Sequence, residues 1–187
     1  MKIYIIGDHK YMKRKSFTLV EVLVSITIFI IVVSVVLDLS VFALKIQQRN
    51  LADQYLLNQV NYTMEYISRQ LRMAQRDDSG NWIAAGCSYE KITSGIKFIN
   101  HNGEGEKIFL DDGQIKRGIK DLSTGVETIL PVTSDDFKVT YFNVSLAGEC
   151  DSDTIQPRAT IAFGIRKKNS SQTFQFQTTI SQRNLDL

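Results

Sequence analysis

Phe17-Thr18-Leu19-Val20-Glu21-Val22-Leu23-Val24-Ser25-Ile26-Thr27-Ile28-Phe29-Ile30-Ile31-Val32-Val33-Ser34-Val35-Val36-Leu37 decides the fold of this chain, because its 21 residues hold a single charge, Glu21. At ~1.5 Å per residue a helix of that length covers about 31 Å, the thickness of a bilayer's hydrocarbon core. A carboxylate at membrane depth costs about 2.5 to 3.5 kcal/mol on insertion scales, so such a residue ordinarily has a partner and a task. The identity of that partner is the first functional question.

Directly before the apolar run stand the basic cluster Lys13-Arg14-Lys15 and the small residue Ser16. A secretory signal also places basic residues before an apolar stretch. This run is too long for an ordinary signal core, and Val35-Val36-Leu37-Asp38-Leu39-Ser40 offers no small-x-small cleavage pattern, so the segment is expected to stay attached. The positive-inside rule leaves Lys13 to Lys15 in the cytoplasm and sends the C-terminal part across the membrane.

Charge follows the same division. The 187 residues carry 22 basic and 20 acidic side chains, and five of the basic ones (Lys2, Lys10, Lys13, Arg14, Lys15) precede Phe17 with only one acid, Asp8. The remainder holds 17 basic against 19 acidic residues, so the basicity belongs to the leader and the rest is no obvious polyanion binder.

Between Gly7 and Gly80 there is neither glycine nor proline, whereas ten of the eleven glycines and both prolines lie from Gly80 onward. Within the first part Leu56, Val60, Thr63, Ile67, Leu71 and Ala74 recur every three or four residues, with Arg69, Arg72 and Arg76 off that stripe, which predicts an amphipathic helix. Span and amphipathic half read as one helix from Phe17 to Asp77, about 90 Å at ~1.5 Å per residue, stopped by Asp77-Asp78-Ser79-Gly80. The expected organisation is a leader over 1–16, a membrane segment over 17–37, an amphipathic spine over 38–79 and an extracytoplasmic β-rich part over 80–187.

Beyond Gly80 the apolar period changes to two. Ala159, Ile161, Phe163 and Ile165 alternate with polar or small residues, as do Phe174, Phe176, Thr178 and Ile180, and Lys167-Lys168-Asn169-Ser170-Ser171 joins them, predicting an antiparallel hairpin with one buried face. Phe137, Val139 and Tyr141 start a third strand. Ile96 to Ile99 and Lys107 to Leu110, separated by Asn102-Gly103-Glu104-Gly105, suggest another hairpin. The apolar face of the sheet needs cover and the stripe Leu56 to Ala74 supplies it, giving an α+β architecture of a long helix on an antiparallel sheet.

Lys15-Ser16-Phe17-Thr18-Leu19-Val20-Glu21-Val22-Leu23-Val24-Ser25-Ile26 resembles the N-terminal cleavage and methylation motif of type IV prepilins and type II secretion pseudopilins, and the long helix with a following β part resembles that family's plan. Phe174-Gln175-Phe176-Gln177-Thr178-Thr179-Ile180-Ser181-Gln182-Arg183-Asn184, with Ile67-Ser68-Arg69-Gln70-Leu71-Arg72, resembles minor pilins of the J-like or W-like type. The resemblance implies that a prepilin peptidase cuts between Ser16 and Phe17, that the new Phe17 amine is N-methylated, and that Glu21 meets that amine on a neighbouring pilin or pseudopilin subunit. It implies a filament subunit drawn from the cytoplasmic membrane into an extracellular or periplasmic fibre, without cofactor. The family's usual residue before the cut is glycine where this chain has Ser16. Many major pilins have a helix-breaking proline where it has Asp38, which argues for an unbroken helix and for a minor pilin or pseudopilin. Met12 is a second candidate start beside Met1.

Physics supports the proposed pair independently. Among parallel apolar helices a methylammonium on Phe17 of a neighbour is a charge that makes a buried Glu21 tolerable. Burying two ions costs several kcal/mol per ion before their attraction offsets it, so the pair acts as an axial ruler more than as net stabilisation.

Other readings are weaker. A single-pass anchor with an arbitrary external domain, Glu21 snorkelling to the headgroups, explains neither the small-then-aromatic junction nor a helix continuing past the bilayer. Cys87 and Cys150, the only cysteines, form an even count that supports a disulfide in an exported domain; two buried thiols are the alternative. Glu149, Asp151 and Asp153 are hard oxygen ligands that suit calcium, although three acids in such a turn are ordinarily a solvated loop. Enzyme chemistry has little support: His101, the one histidine outside the leader, lies in a turn sequence, and no Gly-x-Ser-x-Gly, His-Glu-x-x-His or Walker loop occurs. DNA capture would rest on Lys116-Arg117 with Lys120 and on Arg166-Lys167-Lys168, local clusters with no interleaved aromatic in the sequence.

Overall fold

The computed structural model describes residues 16–150, 155–168 and 170–183. Helix α1 runs Leu19–Arg72 and is followed by strands β1 (Glu90–Ile92), β2 (Gly95–Ile99), β3 (Gly105–Asp111), β4 (Gln114–Lys120), β5 (Glu127–Pro131), β6 (Phe137–Ala147), β7 (Arg158–Lys167) and β8 (Phe174–Ser181). The chain divides into two compact units, Met1–Asn50 and Leu51–Leu187.

In the first unit every described residue is exposed, and an 18-residue window of the helix reaches a mean hydropathy of 2.9. β-Branched residues dominate this stretch and are modest helix formers in water. In hydrocarbon, by contrast, a helix satisfies every backbone group within the segment, so the same residues become helical. The hydroxyls in the run are satisfied locally too: Ser25 donates to Glu21 O at 2.7 Å, Thr27 to Leu23 O at 2.8 Å and Ser34 to Ile30 O at 2.8 Å. They remain inside the helix without an unpaired polar group.

The second unit is α+β. Leu56, Val60, Thr63, Ile67, Leu71 and Ala74 are all buried, the stripe read from the sequence. They join one core with Ile96 and Phe98 of β2, Ile108 of β3, Ile115 of β4 and the inward residues of β6, β7 and β8. The helix ends at Arg72, earlier than the expected stop at Asp77 to Gly80. The reason is tertiary: the last carbonyls find partners outside the helix, Leu71 O accepting from the Tyr89 hydroxyl at 2.6 Å and Arg72 O from the backbone N–H of Arg183 at 3.0 Å.

Two antiparallel sheets replace the single sheet expected, one of five strands in the order β1-β2-β3-β4-β5 and one of three in the order β6-β7-β8. The hairpin predicted over 159–180 is β7–β8, with Ile165 opposite Phe174; its connecting residue Asn169 lies outside the described residues. The hairpin predicted around 96–110 is β2–β3, and Gly105 opens β3 instead of closing the turn. In β6 the register shifts between Val139 and Tyr141. That irregularity changes the phase, so Phe142 and Val144 continue the buried face from Phe137 and Val139, while Tyr141 is displaced from it. Asp112-Gly113 forms the two-residue loop of β3–β4 with φ of 48° and 71°, the two positive values a type I′ hairpin turn requires.

Candidate functional site

Where the apolar run begins, Thr18 and Glu21 form a reciprocal cap. The Glu21 N–H donates to Thr18 Oγ1 at 3.3 Å, and Glu21 Oε2 accepts from the Thr18 N–H at 3.3 Å and from the Thr18 hydroxyl at 3.4 Å. Thr-x-x-Glu is the sequence form of a capping box, which satisfies two of the donors a helix start leaves open. The carboxylate also lies where the helix dipole favours negative charge. No cation stands within ion-pair distance of Glu21 among the described residues.

Ser16 and Phe17 precede the helix in irregular backbone, and both are exposed, Phe17 by 80%. A peptide bond there is free of helical hydrogen bonding, a condition for entering a peptidase site in extended form. Lys13 to Lys15, the rest of the leader and both candidate starts lie outside the described residues. Residues Ser16, Phe17 and Glu21 therefore fall within one short segment, an exposed junction leading into a capped helix whose apolar run to Leu37 holds one acid. Such a segment can present a new amine, after cleavage, one turn from a carboxylate.

In the second unit Cys87 and Cys150 are joined by a disulfide with a sequence separation of 63. A covalent loop of that size stabilises by about 4 kcal/mol through the lost entropy of the unfolded chain. Replacing both cysteines with serine is expected to lower the stability of the full chain in detergent by about that amount in urea unfolding, and reducing the wild-type protein is expected to do the same.

Beside Cys87 lies a feature that sequence reading missed. Asp77, 1% exposed, takes five hydrogen bonds: Oδ1 accepts from the Ser79 N–H at 3.0 Å, the Ser79 hydroxyl at 2.7 Å and the Gly80 N–H at 2.8 Å, and Oδ2 from the N–H groups of Trp82 at 2.9 Å and Ile83 at 3.1 Å. Burial pushes the carboxyl upward, but the bonds from Ser79, Trp82, Ile83 and Gly80 outweigh it and hold the group well below the usual carboxylate range. Asp77-Asp78-Ser79-Gly80 reads locally as a helix stop, and only the donors arriving from residues 82 and 83 reveal a buried anchor.

A second buried carboxylate, Glu106, accepts from the Tyr66 hydroxyl at 2.8 Å and from Asn100 Nδ2 at 3.4 Å, and Arg117 donates to the same Tyr66 hydroxyl at 2.7 Å. Burial raises the Glu106 pKa, opposed by the bonds from Tyr66 and Asn100. Of the proposed calcium ligands, Glu149 is partly buried while Asp151 and Asp153 lie outside the described residues; no group of three or more metal-ligating side chains occurs among the described residues. His101 is exposed in a turn. Lys116 and Lys120 point to the opposite face of β4 from Arg117, so that basic cluster is divided by the strand's alternation.

Residues 11–37 match the family profile described as the prokaryotic N-terminal methylation motif. No curated protein and no solved structure matches the chain. The chain thus carries a prepilin-type N-terminal motif, on a helix apolar and long enough to cross a membrane.

Proposed function

We propose that this chain is a minor pilin or pseudopilin, a structural subunit of a type IV pilus or a type II secretion pseudopilus. The observation that carries the reading is Glu21: the one charge in an apolar run, capped only by its own Thr18, four residues beyond the exposed Ser16–Phe17 junction and inside the matched motif. A prepilin peptidase removes residues 1–16, the Phe17 amine is methylated, and that amine on one subunit pairs with Glu21 of the next. Until cleavage the precursor rests in the cytoplasmic membrane with residues 17–37 as its span and the β-rich part outside.

Assignment to the minor class is supported by the helix running unbroken through Asp38, where a proline would bend it. The C-terminal strand β8, carrying Phe174, Phe176 and Ile180, adds the J-like or W-like resemblance.

Co-expression with a prepilin peptidase tests the reading. Mass measurement and N-terminal sequencing are expected to give a product that begins with methylated Phe17. A chain that keeps its full length beside an active peptidase processing a control prepilin would sink the proposal and leave a membrane-anchored external domain.

A further inference from the structure

On the helix side of the five-stranded sheet the cover is incomplete. β5 is exposed along its whole length, so helix α1 leaves that strand uncovered and an open cleft lies between the two. The cleft has a volume of about 230 Å³ and is lined by Tyr62 and Tyr66 of the helix, Arg117 of β4 and the run Leu130-Pro131-Val132. Its walls are tied together: Gln59 Nε2, from the helix, donates to Val132 O at 3.2 Å, and the Val132 N–H donates to Ile115 O at 2.8 Å. Tyr62, 61% exposed, and Leu130, 42% exposed, supply apolar surface open to solvent.

Arg117 is the only charged residue lining this cleft, and it is fixed without being neutralised. Its Nη1 donates to the Tyr66 hydroxyl at 2.7 Å, and its guanidinium carbon stands 5.3 Å from the centroid of the Tyr66 ring. Tyr66 in turn donates to Glu106 Oε1 at 2.8 Å, so the hydroxyl has a partner on each side. Among the described residues no carboxylate lies within ion-pair distance of Arg117, and Glu106 reaches it only through Tyr66. Most of a rigid five-donor fork is therefore left for an acceptor that arrives from outside.

Size, charge and backbone chemistry select that acceptor. At about 230 Å³ the cleft is smaller than the ~300 to 1,000 Å³ of ordinary ligand sites, and it takes one side chain. A guanidinium pairs in the same bidentate way with carboxylate and phosphate. With one cation among apolar walls a carboxylate is matched, whereas the second charge of a phosphate would stay uncompensated. Pro131 has no N–H and Glu127 places a charge on the same strand, the marks of an edge guarded against strand addition, so recognition falls to side chains. We propose that the cleft is a docking site for a partner polypeptide that inserts one Asp or Glu side chain onto Arg117 and lays the flanking apolar residues on Tyr62 and Leu130. The site involves neither cleavage nor the Glu21 pair, and stands or falls apart from them.

The full-length protein in neutral detergent, isotopically labelled in arginine, would be titrated with an end-blocked pentapeptide carrying one glutamate between valines. Its glutamine counterpart, sodium acetate and inorganic phosphate would be run beside it, following the Arg117 Nε–H resonance, which is assigned by its loss in Arg117→Gln. The expected result is a saturable shift with a dissociation constant on the order of 1 mM for the glutamate peptide, and binding at least about tenfold weaker for the other three. Leu130→Glu is the decisive variant. Leu130 lies directly opposite Arg117 in the register, with Cβ atoms about 5 Å apart, so the new carboxylate meets the guanidinium from within the chain. It is expected to move the Arg117 resonance before any peptide is added, to weaken peptide binding at least about tenfold and to keep a thermal midpoint no lower than the wild type. Arg117→Gln is expected to weaken the peptide as much. No Arg117 shift at about 20 mM peptide, peptide binding that persists in both variants, or equal binding of the glutamine peptide, acetate or phosphate would each overturn the proposal.

Discussion

Glu21→Ala is expected to remove the chain from filaments while leaving it in the membrane. The two effects run in opposite directions because one carboxylate is asked to do two things. Insertion improves, since the acid's penalty, about 2.5 to 3.5 kcal/mol at the centre of a span and smaller this near its end, disappears. On the proposed pairing assembly fails, since the amine of a neighbour's Phe17 would be left buried without its counter-ion, and breaking such a pair by deleting one partner costs about 3 to 5 kcal/mol. That loss corresponds to a fall in incorporation on the order of a hundred- to several-thousand-fold per subunit. Comparing the sheared fibre fraction with the membrane fraction, in cells that express the matching pilus or secretion machinery, measures both quantities at once. Glu21→Gln refines the result: it keeps the size and the bond to Thr18 but not the charge, so it should assemble as poorly as alanine if the charge matters, and nearly normally if the cap alone does. Normal assembly of both variants would remove the basis for the axial pair.

The helix start was legible because its information is local. A charge count, a run of apolar residues and the order basic, small, aromatic are all contained within residues 13–37. The amphipathic stripe was legible for the same reason, since Leu56 to Ala74 repeat at helical spacing and all six are buried. Legibility failed where a residue's role is set by partners far away in the chain. β5 is exposed along its whole length, so no inside and outside alternate in its sequence, and β4 reads as a basic cluster with few apolar positions. Tyr141 carries the right period for the buried face and misses it because one irregularity in β6 shifts the phase. Trp82 looks like a lone loop aromatic until a glycine 23 positions further on supplies the flat surface it rests on.

Asp77 is the residue of the globular part whose loss should cost most stability. Asp77→Ala strands five donors in a site that water barely reaches, and the expected destabilisation is on the order of 4 kcal/mol, with each orphaned buried donor carrying a penalty of about 1 to 3 kcal/mol before relaxation. Asp77→Asn, nearly isosteric, should be almost as damaging: both oxygens accept only from donors, so either orientation of the amide aims its own hydrogens at N–H or O–H groups. The backbone of Asp77 also bonds Cys87 and Gly86, with Asp77 N donating to Cys87 O at 3.0 Å and Gly86 N to Asp77 O at 2.7 Å, so its loss and the loss of the disulfide should not add independently. The pH dependence has a definite sign. A carboxyl whose folded pKa is depressed contributes stability that is complete above the unfolded value, about 3.9, and declines as pH falls below it toward the folded value. Glu106 works the other way. Its folded pKa is raised by burial, so its contribution is complete below the unfolded glutamate value, about 4.3, and is lost as pH rises through the folded one. Urea unfolding across pH should therefore show an acid limb that Asp77→Ala removes and an opposing limb that Glu106→Gln removes. An acid limb of unchanged size in Asp77→Ala would mean that other carboxylates, not this anchor, control acid unfolding of the β-rich part.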